Sequence, residues 1–431
     1  MNIGIIGIGY VGLVAGAGLA DLGNNVTCYD KDKSKIEFLK NGGVPIYEIG
    51  LSDLMGRNTK QGRLFFSSDL KKLVESNQVI FLAVGTPEGK NGEPDISDLM
   101  EISEEVSEYI NEYKIIAIKS TVPIGTHKLV RDIISVKASK EFDIVSNPEF
   151  LREGSAVQDF LLPDRIILGV PSARASEVMR EVYRGLYLIE TPMIITDNTT
   201  AEMIKYASNC FLATKISFIN EVAHMCDRLG ADVVTVAKAI GMDGRIGPKF
   251  LHPSPGFGGS CLIKDIAAFI AMGDKAGIDL EIPKAVQRVN QGQKQLVLIK
   301  ASELLGNLKG KRIAILGLSF KSNTDDVRNS PSIDVVERLL AEGAVISVYD
   351  PAAIDNFKKH FPQITYMTNA YEASREADMA IFMTEWNEFR ELDLCSLKKV
   401  MRGDALLDPR NIYLPETAKK AGFRYAGFGR N

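Results

Sequence analysis

Apolar residues gather along this chain in short runs that alternate with helix-periodic stretches, the pattern of a parallel sheet wrapped by helices. The opening reads strand, glycine turn, helix, strand: "NIGIIGIG", "YVGLVAGAGLADLG", "NNVTCYD". The runs "VIFLAVGTP", "IIAIKSTVP", "DIVSNPEFLREG" and "RIILGV" continue the same sheet, and the first two end in hydroxyl-bearing turns. From Thr199 the rhythm changes. "TTAEMIKYASNCFLATKISFINEVAHMCDRLG" keeps helical spacing throughout, opened by a capping box of Thr199 and Glu202 and closed by Gly230. A second long helix is expected from Pro283 to about Leu305. Beyond it "KRIAILGLSF" restarts a strand, and "GAVISVYD" repeats the register of "GNNVTCYD", so Gly343 to Asp350 matches Gly23 to Asp30. The patterns predict an α/β chain: two Rossmann-like doubly wound domains joined by a long-helix central connector, with boundaries at residues 1–197, 198–306 and 307–431.

The first turn carries specific chemistry. Gly7, Gly9 and Gly12 form G-x-G-x-x-G between strand and helix, and Asp30 closes the next strand. Such glycines allow a tight turn, close approach of a pyrophosphate and close helix packing, while the aspartate accepts from a ribose 2′-hydroxyl. A dinucleotide is expected here. Asp30 disfavours a 2′-phosphate, so NAD is favoured over NADP, although Lys31, Lys33 and Lys35 lie nearby.

Composition narrows the partners. The 431 residues are 45% hydrophobic and 25% charged with a formal net charge of −4, and the signs are mixed along the chain. There is no basic stripe for nucleic acid and no polybasic patch for a membrane, so small molecules or further copies of the chain are the expected partners. The apolar opening lacks the basic flank of a signal peptide, and no later stretch reaches the roughly 20 apolar residues of a membrane helix. The 5 cysteines are odd in number and show no C-x-x-C pair, which fits a reducing, cytoplasmic setting. His127, His224, His252 and His360 are scattered without ligand spacing, so no metal is expected.

One cysteine stands apart. "GFGGSCLIKD" sets Cys261 in a glycine-rich loop, with Gly256, Gly258 and Gly259 leaving room for a substrate and Lys264 supplying charge that favours thiolate. A two-electron dehydrogenase has no use for a nucleophilic thiol. An enzyme that carries an alcohol through the aldehyde to the acid does, through a thiohemiacetal and a thioester. Buried, inert cysteine is the ordinary alternative, and it is the expectation for Cys28, Cys210, Cys226 and Cys395. On the first long helix Lys205 and Asn209 share a face; the pair suits an oxyanion, or equally a surface lysine and an interhelical bond. Glu149 and Glu153, in a segment of uncertain helicity, suit a water or a ligand, or a solvated turn. Thr86 and Thr121 end their strands where a crevice ligand binds, unless they only cap their turns. In the second domain "GLSFKSNTDDVRNSP" replaces the glycine motif, and Lys321 and Arg328 there suit a phosphate or are plain solvated charges.

Together these motifs resemble the UDP-glucose/GDP-mannose dehydrogenase family over nearly the whole chain, through "GIGYVG", "PIYEIGL", "VGTP", "KSTVPIGT", "NPEFLREGSAVQDFLLPDRIILG", "AEMIKYASN", "GMDGRIGPKFL", "GFGGSCLIKD", "LGLSFKSNTDDVRNSPS", "MTEWNEF" and "AGFGR". The resemblance implies Cys261 as nucleophile, Lys205 and Asp265 as proton and oxyanion groups assisted by Asn209, and Glu149 with Thr121 on a water. It implies NAD contacts at Gly7, Gly9, Tyr10, Val11, Gly12, Asp30, Lys35, Thr86, Thr121, Glu153, Lys264 and Arg328. Implied contacts to a nucleotide sugar, UDP-glucose foremost, run through Glu149, Phe150, Leu151, Arg152 and Glu153, then Lys205 and Asn209. They continue through Phe250, Leu251, His252, Pro253, Ser254 and Gly258 to Phe320 and Lys321. Arg245 resembles an arginine that reaches a neighbouring subunit's substrate, which implies a homodimer or higher homo-oligomer. The expected reaction is four-electron oxidation at C6 to the uronate. GDP-mannose or a UDP-N-acetylhexosamine as substrate, a two-electron hydroxyacid-type dehydrogenase, and an NAD-binding redox sensor are the alternatives. Two departures from the family pattern, Leu262–Ile263 in place of a proline-containing pair and Ile49 in place of proline, put loop rigidity in question.

Overall fold

The computed structural model describes residues 1–89 and 92–430. The chain divides into two compact units, Met1–Ser208 and Asn209–Asn431, and the division falls within the long helix Asn198–Leu229.

The first unit is built on an eight-stranded sheet: β1 (Asn2–Ile6), β2 (Asn25–Tyr29), β3 (Leu64–Ser67), β4 (Val79–Leu82), β5 (Lys114–Ile118), β6 (Phe142–Ser146), β7 (Ile166–Gly169) and β8 (Met193–Thr196). Their order is β3-β2-β1-β4-β5-β6-β7-β8, parallel except where Ser146 of β6 meets Gly169 of β7 antiparallel. Strands β4 and β5 are buried on both faces, which is why they read as unbroken apolar runs rather than alternating ones. The order reverses between β1 and β4, and the turns after β1, β4 and β5 leave their strands at the carboxyl ends where ligands of such sheets bind.

The second unit repeats the plan with β9 (Arg312–Leu316), β10 (Val345–Tyr349), β11 (Thr365–Tyr366), β12 (Met379–Phe382), β13 (Ala405–Asp408) and β14 (Arg424–Gly427), in the order β11-β10-β9-β12-β13-β14. All its pairings are parallel. The repeated register from Gly343 to Asp350 is therefore real architecture, with β9 and β10 taking the places of β1 and β2.

The helices depart from expectation in detail. The long helix is not opened by a Thr199–Glu202 capping box. Asp197 caps it instead, accepting from the Thr200 N–H at 2.9 Å and its hydroxyl at 2.6 Å, while the Glu202 carboxylate is drawn to the N–H groups of Gly125 at 2.6 Å and His127 at 3.1 Å. Those donors open the helix Thr126–Lys137 and need an acceptor. The helix Glu281–Leu305 starts before Pro283, whose missing N–H costs nothing in a first turn. Among the described residues no helix is long and apolar enough to cross a membrane.

Three cysteines meet the expectation of burial and one does not. Cys28, Cys210 and Cys226 are buried, and burial pushes the Cys28 and Cys210 thiols up to about 12. Cys395 is exposed: Leu394 and Leu397 supply the inward face of the helix Leu394–Val400, which turns residue 395 outward.

Candidate active site

In the first unit the three glycines of the turn answer to different neighbours. A Cβ on Gly7 would lie 2.7 Å from the Ala83 carbonyl oxygen, and one on Gly12 would lie 1.9 Å from that of Gly7. A Cβ on Gly9 would meet no protein atom within 4 Å, so the surface beside this turn is open to a ligand. Gly9 precedes the helix Tyr10–Asp21, whose first turn has no side-chain cap and is left with N–H groups suited to a pyrophosphate. Asp30 accepts from the Ile8 N–H at 3.1 Å and from Lys35 at 2.9 Å. Burial alone would raise its carboxyl; the Lys35 bond and the N–H groups of Asp32 and Ile8 hold it below the ordinary carboxylate value. The residues present fit NAD. Val11 and Tyr10 are half-buried beside this turn. The Thr86 hydroxyl donates to the Thr121 carbonyl at 2.9 Å, so it ties two strand ends together rather than capping its own turn.

A second cluster in this unit gathers Glu149, Lys205 and Thr121. Glu149 accepts from Lys205 at 2.9 Å, with both side chains buried. Thr121, Pro148, Glu202 and Lys205 line one small cavity. Residues 147–154 form an irregular turn, so Glu149 and Glu153 share no helix face. Phe150 packs under the Arg165 guanidinium, 3.8 Å from its centroid, with the Lys205 ammonium 5.3 Å away. Arg152 closes a fork on Asp159 at 2.5 and 3.0 Å, and Leu151 and Glu153 are half-buried on the same turn.

In the second unit Cys261 is not in a loop. It is the first residue of the helix Cys261–Lys275 and is exposed. The Lys264 ammonium lies 2.9 Å from the Asp265 carboxylate. Negative charge on the sulfur is favoured by the helix N-terminus. Asp265, itself buried, also accepts from Asn209 at 2.6 Å. The glycines are likewise taken up by the protein: a Cβ on Gly258 would lie 2.5 Å from the Asn329 carbonyl and one on Gly259 2.9 Å from the Phe320 ring. Their missing side chains allow close packing within the unit.

The remaining candidates of this unit are spread over three segments. Leu251, Pro253 and Ser254 are buried and His252 exposed, with Phe250 at φ +66. The Arg245 guanidinium is exposed and forked onto Asp243 at 2.5 Å. Lys321 lies 5.6 Å from the Phe320 ring centroid, and Arg328 pairs with Asp326 at 2.6 Å while staying 61% exposed. No group of His, Cys, Asp and Glu among the described residues is arranged to hold a metal.

Comparison with known proteins matches three consecutive models of one family to the chain: its NAD binding domain at residues 1–187, its central domain at 199–292 and its UDP binding domain at 314–415. The chain belongs to the UDP-glucose/GDP-mannose dehydrogenase family. Among relatives, it is 46% identical over 435 residues to the UDP-glucose 6-dehydrogenase of Rhizobium meliloti (strain 1021), covering 100% of both chains. It is 43% identical to UDP-glucose 6-dehydrogenase TuaD of Bacillus subtilis (strain 168), covering 100% of this chain and 93% of that one. Among solved structures, the UDP-glucose dehydrogenase of the hyperthermophilic archaeon Pyrobaculum islandicum superposes with a TM-score of 0.93 at 37% identity, covering 100% of this chain and 98% of that one. The glycine turn thus lies in the NAD-binding domain of a UDP-glucose/GDP-mannose dehydrogenase family member, and the cofactor is NAD.

Within the first unit three buried groups have partners that the sequence reading did not assign. Glu48, of "PIYEIGL", accepts from the N–H groups of Gly154 at 2.6 Å and Ala156 at 2.8 Å and from the Tyr10 hydroxyl. Lys119, of "KSTVP", donates to the Asn147 side chain at 3.2 Å; burial brings its ammonium down to about 8, with Glu149 pulling it up and Lys205 pushing it down. Glu202 is the third. All three lie in motifs visible in the chain, yet their partners are distant in sequence.

Proposed function

We propose that the chain is an NAD-dependent UDP-glucose 6-dehydrogenase that oxidises C6 of UDP-glucose to the carboxylate of UDP-glucuronate, forming two NADH per sugar. The observation that carries this reading is an exposed thiol at a helix N-terminus, on the same helix as Asp265, which is buried and hydrogen-bonded to Asn209, in a chain whose relatives bear that enzyme's name.

Bound at the glycine turn, NAD supplies the hydride acceptor for both oxidations. In the first, Lys205 or Asp265 takes the O6 proton as C6 loses hydride. The Cys261 sulfur then bonds to C6 of the aldehyde, whose oxygen gains a proton, giving a thiohemiacetal. Loss of the second hydride from C6, with the hydroxyl proton passing back to Lys205 or Asp265, leaves a thioester. Water placed by Glu149 and Thr121 attacks its carbonyl, the C–S bond breaks, and the thiolate leaves with the carboxylate formed. Lys205 and Asn209 stabilise the oxyanion of each tetrahedral adduct. Phe150 to Glu153, Phe250 to Ser254 and Lys321 bind the nucleotide sugar.

The proposed assembly is a homodimer or a higher homo-oligomer. Phe211, Phe218 and Met225 are 66%, 54% and 58% exposed and recur at heptad spacing along the long helix, an apolar stripe that suits a second copy. The exposed Arg245 would reach the nucleotide sugar bound by that copy. The cysteine usage supports a cytoplasmic enzyme.

The test is a panel of UDP-glucose, GDP-mannose and a UDP-N-acetylhexosamine with NAD, scored for NADH per sugar. Two NADH and UDP-glucuronate from UDP-glucose is the expected result. One NADH without acid would overturn it in favour of a two-electron dehydrogenase, and NAD binding without turnover in favour of a sensor. Undiminished uronate release by Cys261→Ser would exclude the covalent route.

A further inference from the structure

Cys261 stands at the end of a loop that the second unit holds by its backbone. Residues 253–259 are all buried, yet residue 261 is exposed. A buried loop must satisfy its main-chain donors and acceptors without a ladder, and here side chains do it. Asn290, buried on the helix Glu281–Leu305, accepts from the Phe257 N–H at 2.8 Å and donates to the Phe257 carbonyl at 3.0 Å. One residue on, Gly258 touches the Asn329 backbone with no room for a Cβ. Next, Gly259 donates its N–H to the Arg328 carbonyl at 2.9 Å and accepts from the Asn329 side chain at 3.3 Å. Ser260, the N-cap of the helix that Cys261 opens, contributes no side-chain cap. The start of that helix is therefore set by the loop before it.

We propose that Asn290 and Asn329 form a backbone clamp that fixes the first turn of the Cys261 helix, making Asn290 a positioning residue for the nucleophile. The inference rests on the thiol role proposed above. A carboxamide is the short side chain that offers an acceptor and a donor together, and both are used on one peptide residue. With the clamp intact the first-turn N–H groups point along a fixed axis past the sulfur and favour its anion. With it loosened the turn frays and that advantage fades.

Alkylation by iodoacetamide of the full chain, without substrate, reads the thiol directly. Peptide mass spectrometry separates Cys261 from the exposed Cys395, which serves as reference in the same molecule. Asn290→Asp keeps the acceptor and loses the donor; its expected effect is a fall in the Cys261 rate of about fivefold or more with Cys395 unchanged. Turnover should fall in parallel, with KM for NAD held within about twofold since the glycine turn is untouched. Asn329→Gly preserves the left-handed backbone at φ +50 and removes only the Gly259 bond, so it folds and moves both readouts the same way. A folded variant of either kind with wild-type alkylation and wild-type kcat would overturn the clamp, and Asn329→Gly alone decides if Asn290→Asp does not fold. Full turnover by Cys261→Ser would instead remove the proposed thiol chemistry while leaving the alkylation result standing.

Discussion

Gly9 and Gly12 belong to one motif and are needed for opposite reasons. Gly12 has the Gly7 carbonyl where a Cβ would go, at 1.9 Å, whereas Gly9 has open space. Gly9→Ala is therefore expected to unfold at the wild-type temperature and bind NAD at least tenfold more weakly, and Gly12→Ala to lose about 1–3 kcal/mol of stability from overpacking; thermal melts and NAD titration separate the two. Lys205→Met leaves the Glu149 carboxylate buried without the ion pair it makes at 2.9 Å, a loss of about 3–5 kcal/mol in urea unfolding with NADH formation lost as well. The lysine itself was legible, since a cation within an apolar helical pattern draws notice. Its partner was not: Glu149 lies on an irregular turn, brought to the helix by the sheet.

Elements show what periodicity can and cannot settle. The apolar runs located the strands because two-sided burial leaves no ambiguity, but the start of a helix depends on which donors need an acceptor. Glu202 fits a capping box by spacing, yet it satisfies the opening of another helix. The loop rigidity placed in question by Leu262 and Ile263 resolves in the same way, because both sit in the first turn of the helix Cys261–Lys275 where helical geometry already fixes φ. Ile263→Pro is accordingly expected to change stability by less than about 1 kcal/mol, whereas Ala267→Pro, in the interior of that helix, costs about 3 kcal/mol or more; paired melts check this. At the end of β13, burial pushes the Asp408 carboxyl up to about 6, with the Tyr413 N–H and Tyr425 hydroxyl pulling the other way. The folded state then holds this proton more tightly than the unfolded chain, so stability from this group declines as pH rises from about 4 to about 6 and stays low above. Asn in place of Asp408 should gain on the order of 2 kcal/mol over wild type at pH 7.5 and much less at pH 4.5, read from urea midpoints.

At the scale of the whole molecule, the sequence showed two repeated α/β units and a helical stretch between them, and the parallel orders of the two sheets agree with that. The exposed stripe lies on the long helix that the sequence reading expected as the connector. If that stripe pairs two copies, Phe218→Glu halves the mass seen by light scattering, and an unchanged mass rules out this face. One feature of the repeat bears on the traffic of ligands. Asp350 occupies in β10 the place of Asp30 in β2, but its carboxylate is buried and already accepts from the Leu318 and Ser319 N–H groups, the Ser319 hydroxyl, the Trp386 indole and the N–H groups of Ala352 and Ala353. No lone pair remains for a ribose. The second unit thus shares the architecture without a free ribose acceptor, and a large excess of NAD is expected not to compete with a nucleotide bound there, which a competition titration checks.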